Sequence, residues 1–369
     1  MLKLLQTRFF KFSLLFCLFC FSSSGQQLLK PGFDAAEYAD LLRLKYDSLN
    51  TGQVITTSNH QYKLLFESPE VGLYNKCYFW LRNDDVVILC IRGTIGKTES
   101  WLENFYSAMI PAQGDLQLND STLFEYKFAE RADAYVHVGW SIGMAFLAPY
   151  IVNELNVLYK SGKKEVIIFG HSQGGAIAYL VRSYLNYLPE DKLPGDIFYK
   201  TYCSAAPKPG NLYYTYDFDF INRGEWAFRT VNTADWVPET PLTVQTLKDM
   251  NKANPIVNYK DAIKEMPWLV RVYVNSVYKK IDKTANNGVK YYQKYLGNAV
   301  FDQIKKTLPQ LREPSYAPSN HYMTAGVQIV LPTDNEYDNK FKFTGQNVFV
   351  HHYFEPYLFL LRKYYPKSN

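Results

Sequence analysis

Cysteine is scarce in this 369-residue chain, with five in all, and two of them, Cys17 and Cys20, fall in the first 25 residues. The other three, Cys77, Cys90 and Cys203, are an odd number and cannot form a disulfide framework. An excess of one charge is also missing. The formal net charge is +5, with no basic block, which gives no reason to propose a nucleic-acid partner. Long apolar runs are missing too. The stretch from Phe12 to Phe21 is uncharged and apolar, but at about ten residues it is too short to span a bilayer as a helix. No internal repeat or low-complexity linker divides the chain.

The N-terminus has a layout of its own. Lys3, Arg8 and Lys11 precede the apolar run, and Ser22, Ser23, Ser24 and Gly25 follow it. This is the three-part order of a secretory signal peptide, expected to be cut after Gly25, with a membrane anchor as the alternative. Phe16 before Cys17 and Phe19 before Cys20 argue against lipoprotein processing. Cleavage would remove three basic residues and no acidic one, taking the net charge from +5 to +2. The expected location is secreted or periplasmic, with no stable transmembrane segment after processing. Residues 26–369 then read as a single domain.

An exported chain permits disulfides. Residues 77–82 and 85–91 read as two strands about a turn at Asn83-Asp84, which would set Cys77 opposite Cys90. A disulfide there and two buried free thiols are both open, the thiols being preferred. Tyr and Phe are abundant, at 31 and 24 residues. This reads as coding bias before it reads as a lipid- or sugar-binding surface.

The most informative stretch is 165–178. Val166 to Phe169 reads as a buried strand and runs into Gly170-His171-Ser172-Gln173-Gly174, after which Ala176, Leu180 and Val181 keep helical spacing. Strand, tight turn and helix with a serine at the apex form a nucleophile elbow. Glycines on either side let strand and helix approach closely while the serine stands clear of the backbone. Elsewhere, strands are expected at 54–57, 61–67, 77–82, 86–92, 198–205 and 226–233, with helices at 35–49, 142–160 and after the elbow to about 187. Strands alternating with helices predict an α/β fold, a mostly parallel central sheet with helices on both faces. Functional groups in such sheets gather at the carboxyl ends of strands. Residues 243–312 break the rhythm and read as wholly helical. Val270, Val274, Val277 and Ile281 mark one amphipathic helix there, and Leu296, Val300, Ile304 and Leu308 another. The block is a helical insertion.

A serine hydroxyl needs a base, and the base needs a carboxylate to fix its tautomer. The elbow arrangement predicts the chain order Ser, Asp or Glu, His. Asp235 follows a strand in a loop stiffened by Pro238 and Pro241, and is preferred over Asp217 and Asp219. His321, His351 and His352 follow it and are candidates for the base. His171 should point away from its neighbour Ser172, His137 reads as structural, and His60 has no partner. Oxyanion donors are expected from the amide of Gln173, directly after the nucleophile, and from Thr94, where the strand from Val86 meets Arg92-Gly93-Thr94. No metal or cofactor is called for.

Together these segments resemble the class 3 (fungal-type) lipase family of the α/β-hydrolases. The residues that carry the likeness are Ile91 to Thr94 with Trp101 behind them, Val136 to Gly139, Gly170 to Gly175, Asn232 to Pro238, Tyr322 to Gly326, and His352 with Tyr357. It spans roughly 60–242 and 315–360. The resemblance implies an α/β-hydrolase fold, Ser172 as nucleophile, Asp235 as orienter, His352 as base, and the Thr94 and Gln173 amides as oxyanion hole. It also implies a lid over the site at about 105–133, with Met109, Ile110 and Pro111 as its apolar face. The chain departs from the pattern in three places. Gln173 stands where leucine is common, the histidine is doubled, and the 243–312 block is longer than usual. The reading is a secreted serine hydrolase of carboxylic esters, acting on acylglycerols at an oil–water interface. A phospholipase or soluble-ester carboxylesterase with the same triad is the alternative within enzymes. A catalytically silent binding protein of the same fold is the alternative outside them.

Overall fold

A computed structural model describes residues 27–44 and 52–366. The segment expected to be a signal peptide, with Cys17 and Cys20, and residues 45–49 of the helix expected at 35–49 lie outside the described residues. The elements run in this order: α1 (Ala35–Arg43), β1 (Val54–Thr56), β2 (Gln61–Glu67), β3 (Cys77–Arg82), β4 (Val87–Ile91), α2 (Thr98–Phe105), β5 (Met109–Pro111), β6 (Gln113–Asn119), β7 (Thr122–Lys127), β8 (Tyr135–His137), α3 (Val138–Lys160), β9 (Glu165–His171), α4 (Gln173–Tyr187), β10 (Phe198–Ser204), α5 (Leu212–Ile221), β11 (Ala227–Asn232), α6 (Tyr259–Ala262), α7 (Trp268–Gln293), α8 (Ala299–Thr307), β12 (Val327–Leu331), α9 (Asn335–Lys340) and α10 (Phe354–Tyr364).

Eight strands form the central sheet in the order β1-β2-β3-β4-β9-β10-β11-β12. The first three add antiparallel, and β4 to β12 pair parallel. The central strands are apolar on both sides because both faces are covered. Val87, Leu89 and Ile91 of β4, with Val166 and Ile168 of β9, face a core shared with α3, α4 and α8. Ile88, Cys90, Ile167 and Phe169 face a second core shared with α1 and α10. One described helix, α3, is long and apolar enough to cross a membrane. Here it packs against α4 as a core helix, with Trp140, Ile142, Met144, Leu147 and Ile151 all buried.

Three expectations need correction. Cys77 does not face Cys90. Asp85 enters the turn at φ 75°, so three residues separate Arg82 from Val86, and the pairs become Cys77 with Ile91 and Tyr78 with Cys90. A one-residue slip reverses the face of a side chain. The two cysteines therefore lie buried in opposite cores and neither is in a disulfide, and Cys203 is likewise a buried thiol in the first core.

Residues 105–133 do not hang over the site as a lid. They form β5, which pairs with β8, and the β6–β7 hairpin. Met109 and Ile110, the expected lid face, are fully buried.

The 243–312 block is not wholly helical either. It begins with irregular chain and a short 3-10 turn at Leu247–Asp249. Its two expected helices are one continuous rod, because a π turn at Lys294–Asn298 joins α7 to α8. The Leu296 carbonyl in that turn accepts the amide of Ala108, which ties the rod to the core. Val300, Phe301 and Ile304 of α8 are buried there.

Residues 348–353 form a turn ahead of α10, and its geometry sets His351 and His352 apart.

Candidate active site

The parallel strands β4, β9 and β11 end on one edge of the sheet, and the residues that follow them converge there. Thr94 follows β4, Ser172 follows β9, and Asp235 follows β11. The elbow is very tight. A Cβ on Gly170 would sit 2.1 Å from the Gly174 carbonyl oxygen, and one on Gly174 would sit 2.2 Å from that of Ile91. Both are far inside contact distance, so only glycine fits. Ser172 itself holds φ 61° and ψ −130°, a conformation that costs on the order of 1–3 kcal/mol in a residue with a side chain. That strain is what lifts its side chain out of the turn. A Cβ on Gly93 would meet the Ser172 Cβ at 3.6 Å, so the Thr94 loop lies directly against the elbow.

Asp235 and His352 are in direct contact. His352 Nδ1 lies 2.7 Å from Asp235 Oδ2. The Tyr357 hydroxyl donates to the same oxygen at 2.8 Å, and the Val237 amide donates to Oδ1 at 3.0 Å. Three donors converge on this buried carboxylate and compensate its loss of water. The contact fixes the proton of His352 on Nδ1 and leaves Nε2 as an acceptor. Ser172 Oγ and His352 make no direct hydrogen bond, a bond that commonly tightens only when substrate is bound. Their neighbourhood is set by His171 instead. Its Nε2–H donates to the His352 carbonyl at 2.7 Å, and its Nδ1 accepts from Ser204, whose oxygen is 2.6 Å from the Tyr38 hydroxyl. Burial, and after it the proximity of His352, push His171 down to about 3, so it is a neutral strut.

The rival candidates have other partners. His351 accepts from Tyr337 at 2.9 Å, and its carbonyl accepts from Asn232. His321 sits with Ser319 at the root of the insertion. Asp217 accepts from Tyr187 and the Glu130 amide, and Asp219 from the Gly326 amide. His137 caps α3, as a structural histidine would: Nδ1 accepts from the Trp140 amide, Nε2 donates to the Asn104 carbonyl, and burial pushes it down to about 3.

On the oxyanion side, the Gln173 amide is in the first turn of α4, where backbone N–H groups have no partner within the helix. The Thr94 hydroxyl accepts from Asn104 Nδ2 at 2.9 Å, which leaves its own proton free to donate toward the site. Asn104 is held in turn by Trp140 Nε1 at 2.9 Å. Sequence reasoning missed Asn104, and nothing local marks it. It also missed Glu103, for which there was a signal. A glutamine in place of leucine at position 173 requires polar company. Its buried side chain pairs with Ser100 at 3.4–3.5 Å, next to a fully buried Glu103 whose two carboxyl oxygens both lie within 3.0 Å of the Asn75 side-chain nitrogen, which donates to them. Burial pushes the Glu103 carboxyl up to about 8.

An aromatic rim reaches the histidine. Phe349 lies 5.9 Å from the His352 ring, 5.4 Å from Trp236 and 5.7 Å from Trp101, which stacks on Phe105. A separate cavity lies away from this site. It measures about 900 Å³ and is lined by Glu37, His60, Arg82 and Lys200 among others. Glu37 in it is paired with both Arg82 and Lys200. Among the described residues no group of three His, Cys, Asp or Glu side chains could hold a metal ion.

Residues 88–245 match the model of the lipase (class 3) family. Over that stretch the chain is similar to the class 3 lipases. The match takes in the Thr94 loop, the elbow and Asp235, and it supports a carboxylic ester hydrolase on an α/β-hydrolase fold. No curated protein matches the chain. Several solved lipases align distantly. A triacylglycerol lipase from Penicillium expansum aligns at 17% identity and a TM-score of 0.42, covering 56% of this chain and 74% of that one. An MDLA mutant from Penicillium cyclopium aligns at 18% identity and 0.40, covering 56% and 72%. M37 lipase aligns at 17% identity and 0.45, covering 84% and 78%. At that distance no residue role is carried across. His352 and Tyr357 lie beyond the matched stretch, so their part in the site rests on geometry alone.

Proposed function

We propose that the chain is an exported serine hydrolase of apolar carboxylic esters, working through an acyl-enzyme on Ser172. Export rests on the charged start, short apolar run and small residues of the N-terminus; intact-mass analysis of secreted material retaining those residues would end that part. The observation that carries the chemistry is the 2.7 Å contact between Asp235 and His352 beside a strained serine elbow. His352 Nε2 takes the Ser172 proton as Oγ attacks the acyl carbon. Asp235, held by Tyr357 and the Val237 amide, stabilises the imidazolium. The Gln173 amide and the Thr94 amide and hydroxyl receive the charge on the carbonyl oxygen. His352 returns the proton to the leaving alkoxide, and water, deprotonated by the same histidine, releases the acid. The rim of Trp101, Phe105, Trp236 and Phe349 supports an apolar acyl group, of which an acylglycerol is the favoured case.

A fluorophosphonate probe should label wild-type protein and not Ser172→Ala; labelling of neither would leave a silent binding protein. Asp235→Asn should lose on the order of 10⁴-fold in kcat, because the amide selects the wrong histidine tautomer. A second reading, a soluble-ester carboxylesterase, is favoured by the packing of Met109 and Ile110 into the core, since a segment already buried has no apolar face to open at an interface. Rates across esters of graded chain length separate the two. Preference for acetyl over long acyl chains, with no break at the solubility limit, selects the esterase.

A further inference from the structure

The first two turns of α7 and the residues just before them carry an apolar surface on which nothing packs among the described residues. Met266, Trp268, Leu269, Val270, Val272 and Tyr273 are all exposed, Trp268 to 64% and Tyr273 to 70%. Successive residues on a helix are turned by about 100°. Positions 268, 269, 270, 272 and 273 therefore point around more than half of the circumference. A partner protein with one flat face would cover only part of such a tip, whereas a fluid layer receiving the end of a helix surrounds it.

The charge pattern identifies the layer. Helix α7 carries five basic residues and one acid, a net charge of +4 on 26 residues. Lys279, Lys280 and Lys283 are exposed and follow the apolar tip by two to three turns, with Arg271 inside it. Long basic side chains at that depth reach back to a polar headgroup while their stems lie along apolar surface. The helix also has reach. Its anchored end is near Gly288, which packs on Val244, and Tyr292, whose hydroxyl donates to the Leu242 carbonyl. At about 1.5 Å per residue Trp268 stands about 30 Å further along.

We infer that the tip of α7 docks this protein on an anionic lipid bilayer, with Trp268, Leu269, Val272 and Tyr273 entering the headgroup–acyl boundary and Lys279, Lys280 and Lys283 on anionic headgroups. Apolar insertion combined with several basic residues is the pairing that gives stable, reversible attachment.

The test is vesicle co-sedimentation of the Ser172→Ala chain, so that hydrolysis does not consume the lipid and binding is read apart from the catalytic reading. Vesicles of phosphatidylglycerol with phosphatidylcholine should bind at least tenfold more tightly than phosphatidylcholine alone. Each basic residue near such a surface contributes roughly fivefold, so a triple Lys279→Gln, Lys280→Gln, Lys283→Gln variant should bind anionic vesicles on the order of 100-fold more weakly. Leu269→Glu with Val272→Glu should abolish binding in a protein whose circular dichroism and Tm match the parent. Raising salt toward 1 M, where the Debye length is about 3 Å, should weaken the lysine contribution. Equal binding to neutral and anionic vesicles, or none to either, overturns the proposal. So does a parent that self-associates in light scattering and becomes monomeric with Leu269→Glu, which would make a second copy the occupant.

Discussion

The elbow around Ser172 and the helix α7 are opposite ways of using a sequence. At the elbow, backbone meets backbone at distances that admit no side chain, and Ser172 is held at φ 61° because everything around it is fixed. Along α7 only Val289 and Tyr292 are buried in 26 residues. The comparison teaches where geometry is set. A reacting serine must be held by the fold before substrate arrives. A docking tip needs only to be presented, since its contacts are made outside the protein. The two regions should answer mutation in opposite ways.

The largest effect is expected at the elbow. Gly174→Ala would place a Cβ 2.2 Å from the Ile91 carbonyl oxygen, and neither strand nor helix can move without disturbing both cores. Loss of about 4 kcal/mol or more is expected, read as a lower urea midpoint or as loss of soluble protein. A folded Gly174→Ala enzyme would break the comparison, because the elbow would then be no more constrained than α7.

Much of the constrained region was legible in the sequence, and the reasons are local. The strands at 87–91 and 165–171 are apolar on both faces, a pattern that survives any error in register. The elbow needs glycine, serine and glycine in fixed order, so its residues announce its shape. Register was not legible. The single left-handed residue Asp85 moved Cys77 to the other face, and nothing in its neighbours forecasts that. The second halves of long-range pairs were also hidden. Asn104 on Thr94 and Glu103 beside Gln173 are consequences of how α2 lies across the elbow, and α2 carries no motif. The apolar Met109-Ile110 pair fitted a lid and a core strand equally well; only pairing with β8 decides it. In α7 the expected stripe of Val270, Val274, Val277 and Ile281 exists, yet Val270 and Ile281 are exposed, because periodicity reports a face and not whether anything covers it.

A middle-sized effect should appear as pH dependence of stability, again from the constrained region. His171 and His137 are lowered to about 3, against about 6.5 in an unfolded chain. The unfolded state takes up those protons first, so stability is complete above about pH 6.5 and is lost as pH falls toward 3. At pH 4.5 the loss should be about 2–3 kcal/mol per histidine. Glu103 acts in the other direction. Its carboxyl, raised to about 8, keeps its proton when the unfolded chain has released it above about pH 4.5. Stability therefore falls as pH rises from 4.5 to 8. Glu103→Gln keeps the shape without the titration, and should be more stable than the parent by about 4 kcal/mol at pH 8 and nearly equal at pH 4.5. Urea midpoints of the two proteins at both pH values check this. An unchanged difference across that range would mean that Glu103 is ionised in the folded protein.

The smallest effect is expected at the tip of α7, and its smallness is the point. Leu269 and Val272 are about 60% exposed and touch no core cluster, so folding removes little of their surface from water. Burial yields about 25 cal/mol for each Å² of apolar surface covered, which for these two side chains leaves little to lose. Helix propensity changes little from leucine or valine to glutamate. Added negative charge in the first turns of a helix is mildly favourable against its dipole. Leu269→Glu with Val272→Glu should therefore shift the unfolding free energy by less than about 0.5 kcal/mol, and turnover of a water-soluble ester should be unchanged. A urea titration on the isolated protein, without lipid, is the measurement. A loss of about 2 kcal/mol or more would mean that the tip is covered by part of the chain itself, and the contrast between a fixed elbow and a free helix end would no longer hold.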